Sequence, residues 1–122
     1  NNFSIEEINY TGDIEINTLI NKKLKIYQKQ EKSKKFNIDI KSSYQKISQS
    51  KDLTGKTTDY KIIIKVLFKI ENNQKITTVQ AQEDFVIKNI TNEFEEKNYE
   101  KIKKENLTDL IVNSLIIQLS QI

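Results

Sequence analysis

The chain lacks the residue types on which many catalytic and metal sites are built. It contains no Cys, His, Trp, Met or Pro among its 122 residues. Without Cys and His it has no disulfide, no thiolate or imidazole ligand for a metal, and no catalytic thiol or imidazole. Only hydroxyl, carboxylate, amide and ammonium groups remain. We therefore expect a protein that is not an enzyme and that carries neither a metal nor a cofactor.

Glycine is almost as scarce, because Gly12 and Gly55 are the only two. Loops that cradle phosphates with backbone amides need several glycines, followed by a helix. Residues 51–58 contain Gly-Lys-Thr, a fragment of the phosphate-loop signature, but the earlier glycine is missing and no helix is predicted to follow. Nucleotide binding of that type is excluded.

The charge is balanced. All 20 basic residues are Lys, 17 residues are acidic, and the net charge is +3. Acids and bases are interspersed along the chain, so no strong basic field exists to hold nucleic acid, and we expect no nucleic-acid partner. No run of about 18 apolar residues is present to span a bilayer. The chain starts at Asn1 without an initiator Met, which leaves open a removed signal peptide or a lipid-anchor Cys upstream.

The first half of the chain predicts a strand, a helix and a second strand. Apolar residues two apart in residues 3–10 predict a strand that ends at a turn at Gly12. Asp13 is a predicted N-cap for an amphipathic helix over residues 14–27. A polar connection over residues 28–35 leads to strict alternation over residues 36–44, which predicts a strand, with a bulge or a bend near Gln45.

Two further strands follow. Residues 48–58 are polar and predict a hairpin connection with an exposed tip. Residues 60–70 are the clearest strand, and Asn72-Asn73 predicts a tight turn into a fourth strand over residues 77–87. In the third strand one face is apolar and the other mixed. The mixed face carries Lys61, Ile63, Lys65, Leu67 and Lys69.

The C-terminal segment predicts a long helix. Asn92 and Glu95 have the spacing of a capping box. Residues 93–105 are charged and predicted to be mostly solvated, with Phe94, Tyr99 and Ile102 able to touch the core. The predicted apolar stripe is Leu107, Leu110, Ile111, Ser114, Leu115, Gln118, Leu119 and Ile122.

These elements predict one α+β domain over residues 1–122, in the order β-α-β-β-β-α. The predicted architecture is a two-layer sandwich, in which two helices cover one face of a mainly antiparallel four-stranded sheet.

Two patterns that resemble catalytic sites have simpler explanations. Glu83 and Asp84 are adjacent in a predicted strand, so their side chains point to opposite faces and cannot form a dyad. Ser48 and Lys51 have Ser-x-x-Lys spacing, but they lie beside a hairpin loop and not at a strand-to-helix elbow. We interpret the first pair as ordinary sheet acids and the second as chance.

Two groups of lysines are the candidate binding residues. Lys51 and Lys56 lie at the predicted hairpin tip among hydroxyl side chains, where they can meet phosphates on a lipid or a sugar. Lys61, Lys65 and Lys69 share a strand face with two aliphatic residues, which fits an amphipathic ligand or partner. Both groups have a simpler interpretation that stays open: a solvated turn, and a solvent face on which Lys prevents aggregation.

The order of these elements, with several local segments, resembles the lipopolysaccharide-assembly lipoprotein LptE family of Gram-negative outer membranes. The resemblance covers almost the whole chain. It begins with an N-terminal strand bearing Phe3 and an amphipathic helix over residues 14–27. A polar, Gly-containing hairpin then leads into Tyr60 and alternating aliphatics, an Ala and an aromatic follow in residues 81–85, and residues 104–119 form an amphipathic helix.

The resemblance implies a plug inside the β-barrel protein LptD, which helps that barrel assemble and binds lipopolysaccharide during its delivery. It implies an outer-membrane location on the periplasmic side, with membrane association only through an N-terminal lipid anchor. Basic residues near the hairpin tip contact lipopolysaccharide in that family, and here the tip offers Lys51 and Lys56. The alternative is another small periplasmic envelope lipoprotein that binds a ligand or peptide, for example through a free sheet edge.

Overall fold

A computed structural model describes residues 2–122. The chain forms four strands and two α-helices in the predicted order, which confirms the α+β class. A 3₁₀ turn, Lys25–Tyr27, follows the first helix. The elements are β1 Phe3–Gly12, α1 Ile14–Leu24, β2 Lys34–Lys51, β3 Thr57–Asn72, β4 Lys75–Lys88 and α2 Glu93–Gln121.

The sheet has the order β1-β2-β3-β4. β1 and β2 are parallel, with α1 as the crossover between them, whereas β2, β3 and β4 pair antiparallel. Buried residues of β2 lie directly opposite buried residues of β3. Ile38 lies opposite Ile70, and Ile40 lies opposite Phe68. Both helices cover this one face and pack on each other, so the opposite face of the sheet carries no helix.

A bulge in β1 explains why its apolar residues change phase. Phe3 and Ile5 are fully buried, and the register with β2 shifts between Ile5 and Glu7. The extra residue moves the core-facing positions from odd to even numbers. Ile8 and Tyr10 therefore pack against the same core as Phe3 and Ile5.

Gly12 is required where β1 turns into α1. Its φ is +99°, and a Cβ there would overlap the backbone carbonyl oxygen of Ser42. The Asp13 amide donates to that oxygen at 3.1 Å. Asp13 then caps α1, because its carboxylate accepts from the Ile16 amide at 2.9 Å, as the sequence predicts.

The central hairpin is longer than predicted. β2 continues to Lys51 and β3 starts at Thr57, so the connection is only residues 52–56. The prediction of a bulge near Gln45 is wrong, since the β2–β3 register runs unbroken to Ser48 and shifts only between Ser48 and Lys51. Ile47 keeps the alternation and points to the uncovered face, where its neighbour across the strand is Lys61.

The β3–β4 turn lies one residue later than predicted. Asn72 pairs with Lys75, and the two residues between them, Asn73 and Gln74, have φ values of 51° and 69°. Two positive φ values suit the twist of a two-residue hairpin. The expectation that Asn tolerates this conformation is confirmed at Asn73.

The N-terminus of α2 is capped by one side chain, and a second one holds the chain just before it. The Asn92 side chain accepts from the Glu95 amide at 3.1 Å, as predicted. Glu96 makes a different contact: its carboxylate accepts from the amide of Ile90, two residues before the cap, at 3.1 Å.

The buried face of α2 differs from the predicted stripe. Leu110 is 52% exposed, and Ser114 and Gln118 are also exposed. At 3.6 residues per turn, Leu110 lies roughly 140° around the helix from the buried Leu115. Tyr99 packs against the core, whereas Phe94 and Ile102 are exposed. The residues that α2 buries are Leu107, Thr108, Ile111, Val112, Leu115 and Leu119.

One continuous core fills the space between the sheet and the helices. Phe3, Phe36 and Phe68 are its largest fully buried side chains. Burial of each such side chain contributes about 1.5–3 kcal/mol. Neither helix of the described chain is both long and apolar enough to cross a membrane.

Candidate binding surface

The uncovered side of the sheet, here called the open face, consists of the alternate residues that point away from the helices. Cross-strand pairing places Ser43, Lys65 and Gln82 in one row and Lys41, Leu67 and Gln80 in the next. The central strand contributes Lys61, Ile63, Lys65, Leu67 and Lys69, all half-buried or exposed. The predicted sharing of one face by these five residues therefore holds.

The predicted lysines do not converge on one point. A strand rises about 3.3 Å per residue, so Lys61 and Lys69 are roughly 26 Å apart. Lys51 and Lys56 lie further along the same hairpin, flanking its tip. One phosphate group cannot contact all five, and a ligand that used them would have to be long or carry several charges.

The hairpin tip, residues 52–56, is held by one carboxylate. Asp52 Oδ1 accepts from the Thr54 hydroxyl at 2.6 Å, the Thr54 amide at 2.9 Å and the Lys56 amide at 3.0 Å. The hydrogen bond from the Thr54 hydroxyl, with that from the Lys56 amide, lowers the pKa of Asp52. Gly55 has φ +85° in this turn, and Leu53 is fully exposed at its apex.

A shallow hollow of about 240 Å³ lies in the middle of the open face. Lys41, which lies across the strands from Leu67, and Lys65, two residues before Leu67 on β3, line it together with Leu67. In the described chain neither ammonium group forms an ion pair. Lys41 was missed in the sequence analysis. Its alternation with Ile40 and Ser42 placed it on the polar face of β2, but only the β2–β3 register brings it beside Leu67.

Lys69 has a different environment from Lys65. It lies directly across the strands from Asp39, whose carboxylate accepts from the Asn9 side chain at 3.0 Å. Glu7 and Glu71 line the same hollow as Lys69. The nearby acids offset the charge of Lys69, so it contributes less to an anion site than Lys41 and Lys65.

Lys61 lies in the most apolar part of the open face. Its neighbours across the strands are Ile47 on β2 and Val86 on β4. Ile63 follows two residues later on the same face. This end of the open face thus combines one ammonium group with aliphatic side chains.

A charged network that the sequence did not predict joins β2 to α2. The Tyr44 hydroxyl donates to Glu100 at 2.6 Å, and Lys46 Nζ lies 2.8 Å from the other Glu100 oxygen and 3.4 Å from Glu96. Lys104 lies 2.9 Å from Glu15 and 4.1 Å from the centre of the Tyr44 ring. The network borders a concave region of about 500 Å³ between the helices and β2.

The ionisation states in this network favour a structural role. Burial by itself would raise the pKa of Glu100, but hydrogen bonds from Lys46 and Tyr44, with the charges of Lys46 and Lys104, hold it below the usual value. Burial and the hydrogen bond to Glu100 raise the pKa of Tyr44 well above its usual value. Tyr44 thus stays protonated at neutral pH and acts as a donor to the carboxylate.

The structure also places the two patterns that resemble catalytic sites. Glu83 points to the helix side of β4 and Asp84 to the open face. Ser48 Oγ lies 2.9 Å from Thr57 Oγ1 and has no lysine partner among the described residues. Lys56 and Thr57 lead into β3, so no helix follows the Gly-Lys-Thr fragment. Among residues 2–122, no acidic cluster is arranged to hold a metal ion.

Comparison with known proteins shows likeness in fold and not in sequence. The sequence matches no protein-family model and no curated protein. Among solved structures, rare lipoprotein B from Shewanella oneidensis aligns with 94% of this chain and 97% of its own, with 15% identity and a TM-score of 0.56. A minor lipoprotein from Acinetobacter baumannii aligns with 92% and 91%, with 16% identity and a TM-score of 0.62.

A third solved structure, an uncharacterized lipoprotein B from Nitrosomonas europaea, aligns with 91% of this chain and 83% of its own. Its identity is 9% and its TM-score 0.57. Identities this low are evidence for a common fold alone. Over nearly its whole length, the chain has the fold of these bacterial lipoproteins.

Proposed function

We propose that the protein is a non-enzymatic assembly factor for lipopolysaccharide at the outer membrane. In this proposal it is held on the periplasmic side by an N-terminal lipid anchor, plugs an LptD-like β-barrel, helps that barrel assemble, and binds lipopolysaccharide. The fold match to bacterial lipoproteins is the observation that carries the proposal, because it spans nearly the full length of both chains.

The open face supports binding of an anionic amphipathic molecule. Lipopolysaccharide carries phosphate groups and acyl chains. In the part of the chain that the structure describes, Lys41 and Lys65 offer ammonium groups without acidic partners, and the neighbouring Leu67 offers aliphatic surface. The lysines spaced along β3 suit a ligand with several phosphates better than a compact anion.

The composition of the chain supports the proposed position as a plug inside a β-barrel. A protein inside a barrel lumen meets water and polar side chains, since the interior of such barrels is polar. The open face and the outer surface of the helices are rich in Lys, Asn, Gln and Glu, and the mean hydropathy of the chain is −0.63. Such a surface suits a polar lumen and not the hydrocarbon interior of a bilayer.

Charge reversal on the open face tests lipopolysaccharide binding. We expect Lys65→Glu to weaken binding at low salt about tenfold, which corresponds to about 1.4 kcal/mol. Binding by the unmodified protein should also weaken as salt rises, because ions screen exposed charges. Lys97→Glu, an equal charge change on the exposed side of α2, is the matched control and should bind as the unmodified protein does. Immobilised lipopolysaccharide provides the measurement.

Co-expression with the organism's LptD-like barrel tests the partner. We expect the two proteins to purify as a stable complex and the barrel to reach the membrane in reduced amount when this protein is absent. A protein that stays apart from the barrel and fails to bind lipopolysaccharide at low salt would refute the proposal.

The free edge of β4 favours a second candidate function, that of an envelope lipoprotein that binds an extended peptide by strand addition. β4 is the last strand of the sheet and has no neighbour on its outer side among the described residues. This candidate predicts peptide binding that Lys65→Glu leaves unchanged, so the lipopolysaccharide measurement separates the two functions.

A further inference from the structure

β4 is the unprotected edge of the sheet. At the opposite edge, the two ends of β1 are covered by other parts of the chain: the Lys29 amide donates to Ile5 O at 3.1 Å, the Gln30 amide to Ser4 Oγ at 2.8 Å, and the Asn17 side chain to Thr11 O at 3.0 Å. No such contact to the outer side of β4 occurs within residues 2–122. An uncovered edge of this length is a template for another strand.

The β3–β4 ladder determines which β4 groups are available. The Asn89 amide donates to Thr58 O at 2.9 Å, so these opposed residues form a hydrogen-bonded pair. Such pairs alternate along an antiparallel ladder. Every even-numbered residue from Ile76 to Lys88 therefore turns its N–H and C=O away from β3. The register is unbroken from Lys75 to Lys88 and contains no Pro, so no bulge interrupts this row.

The sequence of β4 is complementary to itself. We propose that β4 pairs antiparallel with β4 of a second copy of this chain, about a two-fold axis at Val79. Lys75 then lies opposite Glu83 of the second copy, and symmetry repeats the pair. Neither residue forms an ion pair within its own described chain. Both are odd-numbered, so they occupy the non-hydrogen-bonded positions where opposed side chains are closest.

The remaining pairs in this register are compatible. On the helix side Thr77 lies opposite Ala81 and Val79 opposite Val79. On the open face Ile76 lies opposite Gln82 and Thr78 opposite Gln80. No like charges face each other.

Other registers are less favourable. An axis at Ala81 leaves Lys75 opposite Ile87 without an acidic partner. An axis at Asp84 places two carboxylates directly opposite each other, which is destabilising. Charge complementarity thus favours the axis at Val79 over these two.

The pairing would also complete the burial of the edge. Val79 and Ala81 face α2 but stay half-buried, whereas Ile64 and Val66 on the neighbouring strand are fully buried. A second copy supplies the missing neighbours. A two-fold axis perpendicular to the sheet joins the two sheets into one of eight strands, with both open faces on the same side. The inference does not depend on lipopolysaccharide binding.

Sedimentation equilibrium over a range of protein concentrations tests the pairing. We expect a reversible shift from the 14.4 kDa monomer to a dimer at high concentration. Lys75→Glu and Glu83→Lys should each weaken dimerisation about tenfold, because each replaces two attractive pairs by two repulsive ones. The double variant should restore it. Lys88→Glu, the same charge change outside the paired segment, is the matched control.

Three outcomes would overturn the inference: a monomer at every concentration, a dimer that both single variants leave unchanged, or equal weakening by Lys88→Glu. The first would leave β4 available to a strand from another protein. The second would place the dimer contact elsewhere, and the third would trace the effect to net charge. Circular dichroism of each variant separates lost pairing from lost folding.

Discussion

At the scale of single residues, Glu100 shows how the tertiary structure assigns a role that the sequence does not suggest. In sequence it is one of several acids in a charged helical segment. In the structure it accepts from Tyr44 and Lys46, which are 56 and 54 residues away. No local spacing signals such a contact, so a prediction from periodicity classed Glu100 with solvated charge.

The lowered pKa of Glu100 predicts a pH dependence of stability. A carboxyl whose pKa is lower in the folded protein stabilises it above the ordinary value of 4.5, and that stabilisation is lost as pH falls through the folded pKa. We expect Glu100→Gln to lower the free energy of unfolding by roughly 1–2 kcal/mol at pH 7 and by less near pH 3. Urea titrations at the two pH values measure both effects.

Glu105→Gln is the matched control for that measurement, because Glu105 lies five residues along the same helix and forms no ion pair in the described chain. It should leave the free energy of unfolding nearly unchanged at both pH values. An equal loss in the two variants would show that helix charge, and not the contact with Tyr44 and Lys46, determines the stability.

The candidate lysines also show that local sequence patterns do not reveal contacts between residues far apart in the chain. Alternation was enough to place Lys61, Lys65 and Lys69 on one face of β3. It did not show that Asp39 lies across from Lys69 or that Lys41 lies beside Leu67. Those neighbours come from another strand, and the pairing register decides which residues they are.

At the scale of secondary-structure elements, the sequence predicted which helices and strands exist. It was less accurate about where each one begins and ends and which of its faces is buried. Strict alternation identified β2 and β3, yet polar residues around the tip of the central hairpin hid residues 45–51 of β2 and residues 57–59 of β3. Those residues are held in the strands by the ladder between them, since Lys46 pairs with Ile62 and Ser48 with Tyr60. Polar side chains are compatible with a strand whose outer face is exposed to solvent.

The corrected face of α2 predicts unequal costs for two truncations. Val112 is 4% exposed and Leu110 is 52% exposed. Val112→Ala removes buried methyl groups and leaves a cavity, so we expect a loss of about 1–2 kcal/mol in the free energy of unfolding. Leu110→Ala should change it by less than about 0.5 kcal/mol. Urea denaturation followed by circular dichroism measures both, and a larger cost at Leu110 would contradict the described packing.

At the scale of the whole molecule, a single core joins every element. Residues from both helices and all four strands belong to it. α1 and α2 also meet through the ion pair of Lys23 with Asp109 and that of Lys104 with Glu15. Because both helices cover the same side of the sheet, one face of the sheet is buried and the other is exposed to solvent.

A single core predicts cooperative unfolding. Single domains of this size unfold as one unit when their elements share a core. We expect tyrosine fluorescence and far-ultraviolet circular dichroism to give one coincident transition in urea. Two transitions at different urea concentrations would contradict the prediction that residues 1–122 are one domain.

The sequence by itself determined the α+β class, the order of the elements, the caps at Asp13 and Asn92, and the absence of thiol and imidazole chemistry. These features depend on spacing and residue type within a few positions. The tertiary structure decided the parallel pairing of β1 with β2, the neighbours of each lysine, the Glu100 network and the free edge at β4. These features join residues that lie far apart in the chain, and only strand register and helix packing bring them together.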